Sequence, residues 1–321
     1  MSKLSLAKLP LLSSQLSGAR KVASMGSFSA AIAERVLATA CEVAQLDPSG
    51  ARLIRLGENA LFHLPAESTV VRIARTMEYW RDVVKEVSVA RWLASHRFPA
   101  ALVREIPQPI QVADHPVTYW RFIDGRNGGR NDVAYLGKLL HRLHKLPPPT
   151  TFDLPKEDIL GRVHGRIEAA SVPSVDKDFL LAHVSELADE LPRLRYPLAP
   201  SARHGDAHVQ NLMFRDGQGI LIDFERFAWG QPEWDLSVTA TEFQTAGWWT
   251  KSEYSRFVEA YGYDVTTWRD GFPILRAVHE IKMTTWLMQN VNESPRIAKE
   301  YEKRMRTIRG EAVDLGNWDP F

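Results

Sequence analysis

A polar segment in the second half of the chain carries side chains suited to metal binding and proton transfer. His204-Gly205-Asp206 is followed by Asn211, and Asp223 lies beyond two short apolar runs. The turn residues 216–219 between those runs predict a β-hairpin, which would bring Asn211 and Asp223 together. Carboxylate and amide oxygens are the ligands that a hard cation such as Mg²⁺ prefers. We therefore predict a metal site at the open end of this hairpin.

The order of these residues resembles a motif set of kinases. The chain reads H-G-D-x-x-x-x-N at 204–211 and I-D-F-E at 222–225, where protein kinases carry H-R-D-x-x-x-x-N and D-F-G. The two substitutions, together with G-x-P-x-x-D-L at 230–236, resemble the aminoglycoside phosphotransferase family of small-molecule kinases. Asp and Asn are common in ordinary turns, but this ordered set of features is not expected of turns alone.

The resemblance implies ATP- and Mg²⁺-dependent transfer of the γ-phosphate to a hydroxyl group of a small molecule. Asp206 would face the acceptor hydroxyl and take or orient its proton. Asn211 and Asp223 would hold Mg²⁺ against the phosphates, because phosphoryl transfer depends on positioning and charge neutralisation. His208 and Glu225 keep two interpretations each, since they could face the cleft or only stabilise their own loop.

A cation and a carboxylate are expected to pair in the N-terminal part of the chain. Arg72 occupies the position of the kinase strand lysine, and its planar guanidinium suits phosphate oxygens. Glu86 lies at the edge of the apolar face of the following helix, where a kinase glutamate reaches the strand cation. We predict that Arg72 and Glu86 pair and position ATP, with solvated side chains as the alternative.

The resemblance also implies where the rest of the nucleotide would bind. The loop 57–60, which includes Asn59, would cover the phosphates, although its single glycine also fits a plain hairpin turn. Phe122 and Ile123 lie at or near the hinge between lobes, where backbone groups would bind adenine. Because these contacts would be made by backbone groups, they depend little on which side chains are present.

The resemblance covers about residues 30–310 and implies an α+β, two-lobed, protein-kinase-like fold. The N-lobe would have an antiparallel sheet plus a helix, and the C-lobe would be mainly helical. We expect residues 1–25 to form an N-terminal extension, 26–124 the nucleotide-binding N-lobe, and 125–321 the catalytic and acceptor-binding C-lobe. Apolar periodicity predicts the main helices at 30–45, 76–95, 132–146, 178–191, 235–246, 252–261, 272–291 and 295–309.

Composition sets the broad class of the protein. The 321 residues are 45% hydrophobic and 25% charged, as in ordinary globular domains, and the formal net charge is +1. This charge gives no argument for a nucleic-acid partner or an anionic membrane surface. The single cysteine, Cys41, excludes an internal disulfide and favours a reducing, cytoplasmic location. No apolar run is long enough to span a bilayer, and the oligomeric state is not indicated.

The acceptor is the least constrained part of the prediction. Residues 223–242 contain five acidic side chains, one basic side chain and several aromatic rings. This mixture favours a cationic, partly apolar acceptor, with a neutral sugar or nucleoside hydroxyl as the alternative. The family's acceptors include aminoglycosides and other antibiotics, sugars and amino alcohols. A catalytically weak or inactive kinase-like protein that binds nucleotide or a partner is the competing hypothesis, because Arg72 replaces the usual lysine.

Overall fold

The computed structural model describes residues 28–156, 158–311 and 317–321. An antiparallel sheet with two helices forms the N-terminal lobe, and the C-terminal lobe is mainly helical. The predicted two-lobed α+β architecture is therefore confirmed. The expected N-terminal extension, residues 1–25, lies outside the described residues. The sheet ends at Arg121, and the boundary expected after residue 124 stays a prediction.

The N-lobe is built on a five-stranded sheet in the order β1-β2-β3-β5-β4. Side chains alternate between buried and partly exposed along β2 and β3, as expected for strands with one covered face. The helix α1 packs on this sheet, and the Ser29 side chain caps it by accepting from the Ile32 amide at 3.4 Å, as predicted. The elements of this lobe are α1 (Ala30–Ala44), β1 (Arg52–Leu56), β2 (Asn59–Leu64), β3 (Thr69–Ala74), α2 (Trp80–Ser95), β4 (Ile110–Val112) and β5 (His115–Arg121).

The C-lobe combines helices with short strand pairs. No helix among the residues described here is long and apolar enough to cross a bilayer. The buried face of α2 shares one hydrophobic core with the C-lobe, and this core joins the lobes. The C-lobe elements are β6 (Arg126–Asn127), α3 (Val133–Leu143), α4 (Val163–Ala169), α5 (Ser174–Glu190), β7 (Ser201–Arg203), β8 (Leu212–Arg215), β9 (Gln218–Leu221), β10 (Ala228–Gly230), α6 (Glu233–Gln244), α7 (Lys251–Tyr261), α8 (Phe272–Met288) and α9 (Pro295–Ile308).

Two short antiparallel pairs frame the polar segment. The β8–β9 hairpin closes through Asp216 and Gly217, with φ of 51° and 76°. Two residues with positive φ are typical of a type I′ turn, so the turn is tighter than the four residues predicted. The second pair joins β7 to β10 in the register Ala228↔Arg203. It was not predicted, because strands of three residues leave no measurable periodicity.

Some helix boundaries differ from the sequence prediction. The seven-residue α4 buries only Val163 and Ile167 fully, so its apolar pattern is too short to recognise. The helix α5 begins at Ser174 rather than at residue 178, and Val175 in its first turn is 65% exposed and gives no inward signal. The helix α3 ends at Leu143, three residues earlier than predicted.

Candidate active site

The segment 204–206 is held in place by a buried carboxylate on α6. Asp235 accepts hydrogen bonds from the backbone amides of His204 and Gly205, each at 2.8 Å, and contacts His144 at 3.0 Å. Burial alone would raise the pKa of Asp235, but the contact with His144 holds it below its ordinary value. Gly205 has a φ of 82°, and a Cβ there would lie 2.3 Å from the Arg226 carbonyl oxygen. The turn before Asp206 therefore requires glycine.

The Asp206 carboxylate lies beside the His208 ring and remains accessible. The side chain is 52% exposed, and its Oδ2 lies 3.6 Å from Nε2 of His208. The surrounding protein would raise the pKa of Asp206, but the neighbouring His208 holds it well below its usual range. A carboxylate with so low a pKa is a weak base at neutral pH. This geometry suits orientation of a hydroxyl group by Asp206, and that role stays a prediction.

The hairpin brings the two predicted metal ligands together. The Ile222 amide donates to the Asn211 carbonyl at 3.0 Å, so Asp223 follows directly beside Asn211. The Asn211 Nδ2 donates to the Asp206 carbonyl at 2.8 Å, which leaves its Oδ1 as the oxygen for a cation. Asp223 is exposed and has a φ of 66°, a conformation that is uncommon outside glycine and often marks functional residues.

These two ligands fit Mg²⁺ bound jointly with phosphates. The residues that the structure describes contain no group of three or more His, Cys, Asp or Glu side chains placed to hold a metal ion. Mg²⁺ commonly takes one or two protein oxygens and completes its shell with phosphate oxygens and water. Asn211 and Asp223 supply a suitable neutral and charged oxygen pair, and their role as metal ligands stays a prediction.

Arg72 and Glu86 form the ion pair that the sequence predicts. The Arg72 Nη1 donates to the Glu86 Oε2, and only 17% and 3% of the two side chains is exposed. Burial opposes the charge on Arg72, but Glu86 and the nearby Asp223 and Glu225 together raise its pKa. Arg72 is therefore held charged on the side of the cleft where Asp223 lies. Its binding of ATP phosphates stays a prediction.

The remaining residues predicted to bind nucleotide lie at strand ends of the N-lobe sheet, with Asn59 beside the last residue of β3 and Phe122 beside the residue before its start. Asn59 begins β2, and its carbonyl accepts from the Gly57 amide at 3.0 Å across the tight β1–β2 turn. The Phe122 amide donates to the Ser68 carbonyl at 2.8 Å, so this N–H is already used within the N-lobe. We therefore expect Ile123, the next residue, to provide the hinge amide for adenine. The roles of Asn59, Phe122 and Ile123 stay predictions.

A cationic group around Glu225 was not predicted from the sequence. Arg162 Nη2 donates to the Glu225 carboxylate at 2.9 Å, and Lys85 Nζ donates to the Glu225 carbonyl at 2.5 Å. Arg226 Nε lies 3.9 Å from the same carboxylate. These contacts join α2, the start of α4 and the I-D-F-E segment. Arg162 precedes the short α4, in a stretch without a recognisable motif, so no local signal could have placed it here.

We expect Arg72→Ala and Glu86→Ala each to raise the KM for ATP, because each removes one half of a buried pair and leaves the other uncompensated. The combined variant should be less impaired than the sum of the two single effects, as expected for contacting partners. Steady-state kinetics of the four proteins in a double-mutant cycle measures this coupling. Fully additive effects would contradict direct coupling between the two side chains.

The chain belongs to the phosphotransferase enzyme family, whose family model, APH, matches residues 57–272. Among solved structures, it is similar to the amicoumacin kinase hAmiN in complex with AMP-PNP, Ca²⁺ and Ami, with a TM-score of 0.69 and 16% identity over 89% of this chain and 95% of that chain. The microcompartment-associated aminopropanol kinase gives a TM-score of 0.64 and 16% identity over 88% of this chain and 100% of that chain.

A third similar structure is the spectinomycin phosphotransferase APH(9)-Ia in complex with ADP and spectinomycin. Its TM-score is 0.59, with 16% identity over 88% of this chain and 95% of that chain. A comparison with curated protein sequences finds no match. At these identities the solved structures support the kinase-like fold, while the family match establishes membership of the phosphotransferase enzyme family.

Proposed function

We propose that this protein is an ATP- and Mg²⁺-dependent kinase that transfers the γ-phosphate to a hydroxyl group of a small molecule. The observation that carries the proposal is the joined arrangement of Asp206, Asn211 and Asp223, linked by the Asn211–Asp206 hydrogen bond and the β8–β9 hairpin. Similar structures that hold AMP-PNP with Ca²⁺, or ADP, support a nucleotide and a divalent cation as partners of this site.

The proposed reaction needs positioned groups rather than a covalent intermediate. Bound Mg²⁺ would supply charge neutralisation of the phosphates. Asn211 and Asp223 would hold it, and Arg72 would contact the α- and β-phosphates. Asp206 orients the acceptor hydroxyl, whose oxygen forms a bond to the γ-phosphorus while the bond to the bridging oxygen of ADP breaks. The hydroxyl proton passes to Asp206 and then to solvent.

Two of the acidic residues that could recognise a cationic acceptor already have partners within the protein. Glu225 pairs with Arg162, and Asp235 holds the catalytic segment. Glu242 is different, because this buried carboxylate interacts with both Asp206 and His208 while accepting from the Trp249 Nε1 at 2.8 Å. We propose that Glu242 and the adjoining aromatic rings bind an amine of the acceptor.

Glu242→Gln is expected to raise the KM for amine-bearing acceptors by about tenfold, with a smaller effect on kcat, because it removes a binding charge rather than a reacting group. Burial raises the pKa of Glu242 to about 7. Its carboxylate is thus increasingly ionised as the pH rises through 7, and the KM for a cationic acceptor should fall between about pH 6 and 8.

The matched control for this prediction is Glu259→Gln, the same change at an exposed position of α7. Measurement of KM against pH for wild type and both variants tests the assignment. We expect Glu242→Gln to remove the pH dependence and Glu259→Gln to keep it. An unchanged profile in Glu242→Gln would show that this carboxylate does not bind the acceptor.

A panel of amino sugars, peptide antibiotics, nucleosides and amino alcohols tests the proposed activity. Acceptor-dependent ADP formation and a phosphorylated product, absent with Asp206→Asn, are the expected result. The competing hypothesis, a nucleotide-binding protein without transfer, predicts nucleotide binding but no product with any acceptor.

The reducing, ATP-rich cytoplasm is the location we propose, consistent with the buried free thiol of Cys41.

A further inference from the structure

The predicted metal ligand Asp223 lies in a segment whose backbone is held on both sides. Before it, the Ile222 amide donates to the Asn211 carbonyl at 3.0 Å, and the Ile222 carbonyl accepts from the His204 Nε2 at 2.9 Å. After it, the Glu225 amide donates to the Asp223 Oδ1 at 3.4 Å. The orientation of the Asp223 carboxylate therefore depends on where the backbone of Glu225 is held.

The backbone of Glu225 is held by a lysine of the N-lobe. Lys85 Nζ donates to the Glu225 carbonyl at 2.5 Å, and only 14% of the Lys85 side chain is exposed. The ammonium group also lies 3.6 Å from Asp82, but that carboxylate is 43% exposed, so water screens the pair. A hydrogen bond from a charged donor is roughly twice as strong as a neutral one. The bond to Glu225 is therefore the stronger of these two Lys85 contacts.

Lys85 and Glu86 are consecutive residues of α2, so one turn of this helix contacts two parts of the candidate site. Adjacent residues lie about 100° apart around a helix axis and so point in different directions. Glu86 reaches Arg72 on β3, whereas Lys85 reaches the segment that follows Asp223. The position of α2 therefore fixes the Arg72 side chain and the Asp223 segment together.

We propose that Lys85 is a positioning residue, which orients the Asp223 carboxylate for Mg²⁺ by fixing the Glu225 carbonyl. This inference rests on the proposed kinase function, in which Asn211 and Asp223 hold the metal. The φ of 66° at Asp223 is a conformation that persists where neighbouring contacts fix it, and Lys85 supplies one of these contacts. Lys85 acts through the Glu225 peptide group and takes no part in the bond changes of the reaction.

Lys85→Met should weaken the binding of Mg·AMP-PNP by about tenfold, the usual effect of losing one charge-assisted hydrogen bond, and should not weaken the binding of metal-free AMP-PNP. The loss depends on Mg²⁺ because Met leaves Arg72 in place but allows the Asp223 carboxylate to turn away. Lys85→Arg should recover part of the Mg²⁺ effect, since Arg keeps the charge and N–H donors with a different geometry. Isothermal titration of AMP-PNP with and without Mg²⁺ measures these effects.

Hydrogen exchange of the ligand-free protein gives a second measurement that needs neither nucleotide nor metal. In Lys85→Met, the amides of residues 223–227 should exchange faster than in wild type, because the Glu225 carbonyl has lost its charged donor. The amides of α2 should keep their protection, which shows that the variant still folds.

The matched control is Lys177→Met, because Lys177 Nζ also donates to a backbone carbonyl, that of Glu168, at 2.9 Å between α5 and α4. This control should keep both the Mg²⁺ effect and the exchange rates of residues 223–227. A full Mg²⁺ effect in Lys85→Met, equal weakening with and without Mg²⁺, or unchanged exchange of residues 223–227 would overturn the role of Lys85. Wild-type protein whose AMP-PNP binding is insensitive to Mg²⁺ would instead contradict the proposed kinase function, while the exchange rates would still show whether Lys85 holds the 223–227 segment.

Discussion

Asp206→Asn is expected to lower kcat by about a thousandfold or more while leaving the affinity for ATP nearly unchanged. The substitution keeps the size of the side chain but removes the charge that orients the acceptor hydroxyl, an interaction realised mainly in the transition state. The backbone of this loop is held by Asp235 and not by the Asp206 carboxylate. The loop should therefore keep its conformation, and the loss should appear in kcat.

The chain offers a closely matched control for this change. Asp216→Asn is the same substitution at the tip of the β8–β9 hairpin, where the side chain is 90% exposed. Its φ of 51° is one that Asn tolerates, so the fold should be preserved. Steady-state kinetics and nucleotide titration of both variants separate the effects. Wild-type kcat combined with weak ATP binding in Asp206→Asn would contradict the role given to Asp206.

Asp223→Asn should abolish measurable transfer and remove the Mg²⁺ dependence of nucleotide binding. The carboxylate is the charged member of the predicted metal pair, and without it the phosphate charge is compensated mainly by Arg72. Asn is the informative replacement because the φ of 66° at this position suits Asn better than Ala. Loss of function in Asp223→Asn therefore reports the lost charge and not backbone strain.

Titration of AMP-PNP with and without Mg²⁺ measures this effect. We expect Mg²⁺ to strengthen AMP-PNP binding by wild type and by Asp216→Asn, but not by Asp223→Asn. Without Mg²⁺, the Asp223 carboxylate of wild type repels the phosphate groups. Asp223→Asn lacks this charge, so it should bind metal-free AMP-PNP at least as well as wild type does. A full Mg²⁺ effect in Asp223→Asn would move the metal ligand elsewhere in the cleft.

The central part of the site could be predicted because its spacing is local. Asp206, Asn211 and Asp223 lie within one loop and one hairpin, and the hairpin has a recognisable turn. The pair formed by Arg72 and Glu86 could also be predicted, because each residue occupies the position that the resemblance to kinases gives to one partner of an ion pair.

The residues that were missed meet only through tertiary structure. Arg162 contacts Glu225 across 63 positions of sequence, and Lys85 reaches the Glu225 carbonyl across 140. Such contacts depend on how α2 and the segment before α4 approach the cleft, which no local pattern encodes. For the acidic residues 223–242, the sequence instead suggests too many candidates for acceptor binding. It cannot separate carboxylates that already have partners, such as Asp235, from the few that face the site.

The most direct test of the proposed function is to monitor the γ-phosphate by ³¹P NMR in mixtures of the protein, Mg·ATP and each member of the acceptor panel. We predict that the γ-phosphate signal of ATP disappears while a phosphate-ester signal and the signals of ADP appear in equal amounts. This conversion should require an acceptor and Mg²⁺, and should be absent with Asp206→Asn. Intact ATP with every acceptor, or release of inorganic phosphate without an ester, would contradict a kinase that phosphorylates a small-molecule hydroxyl.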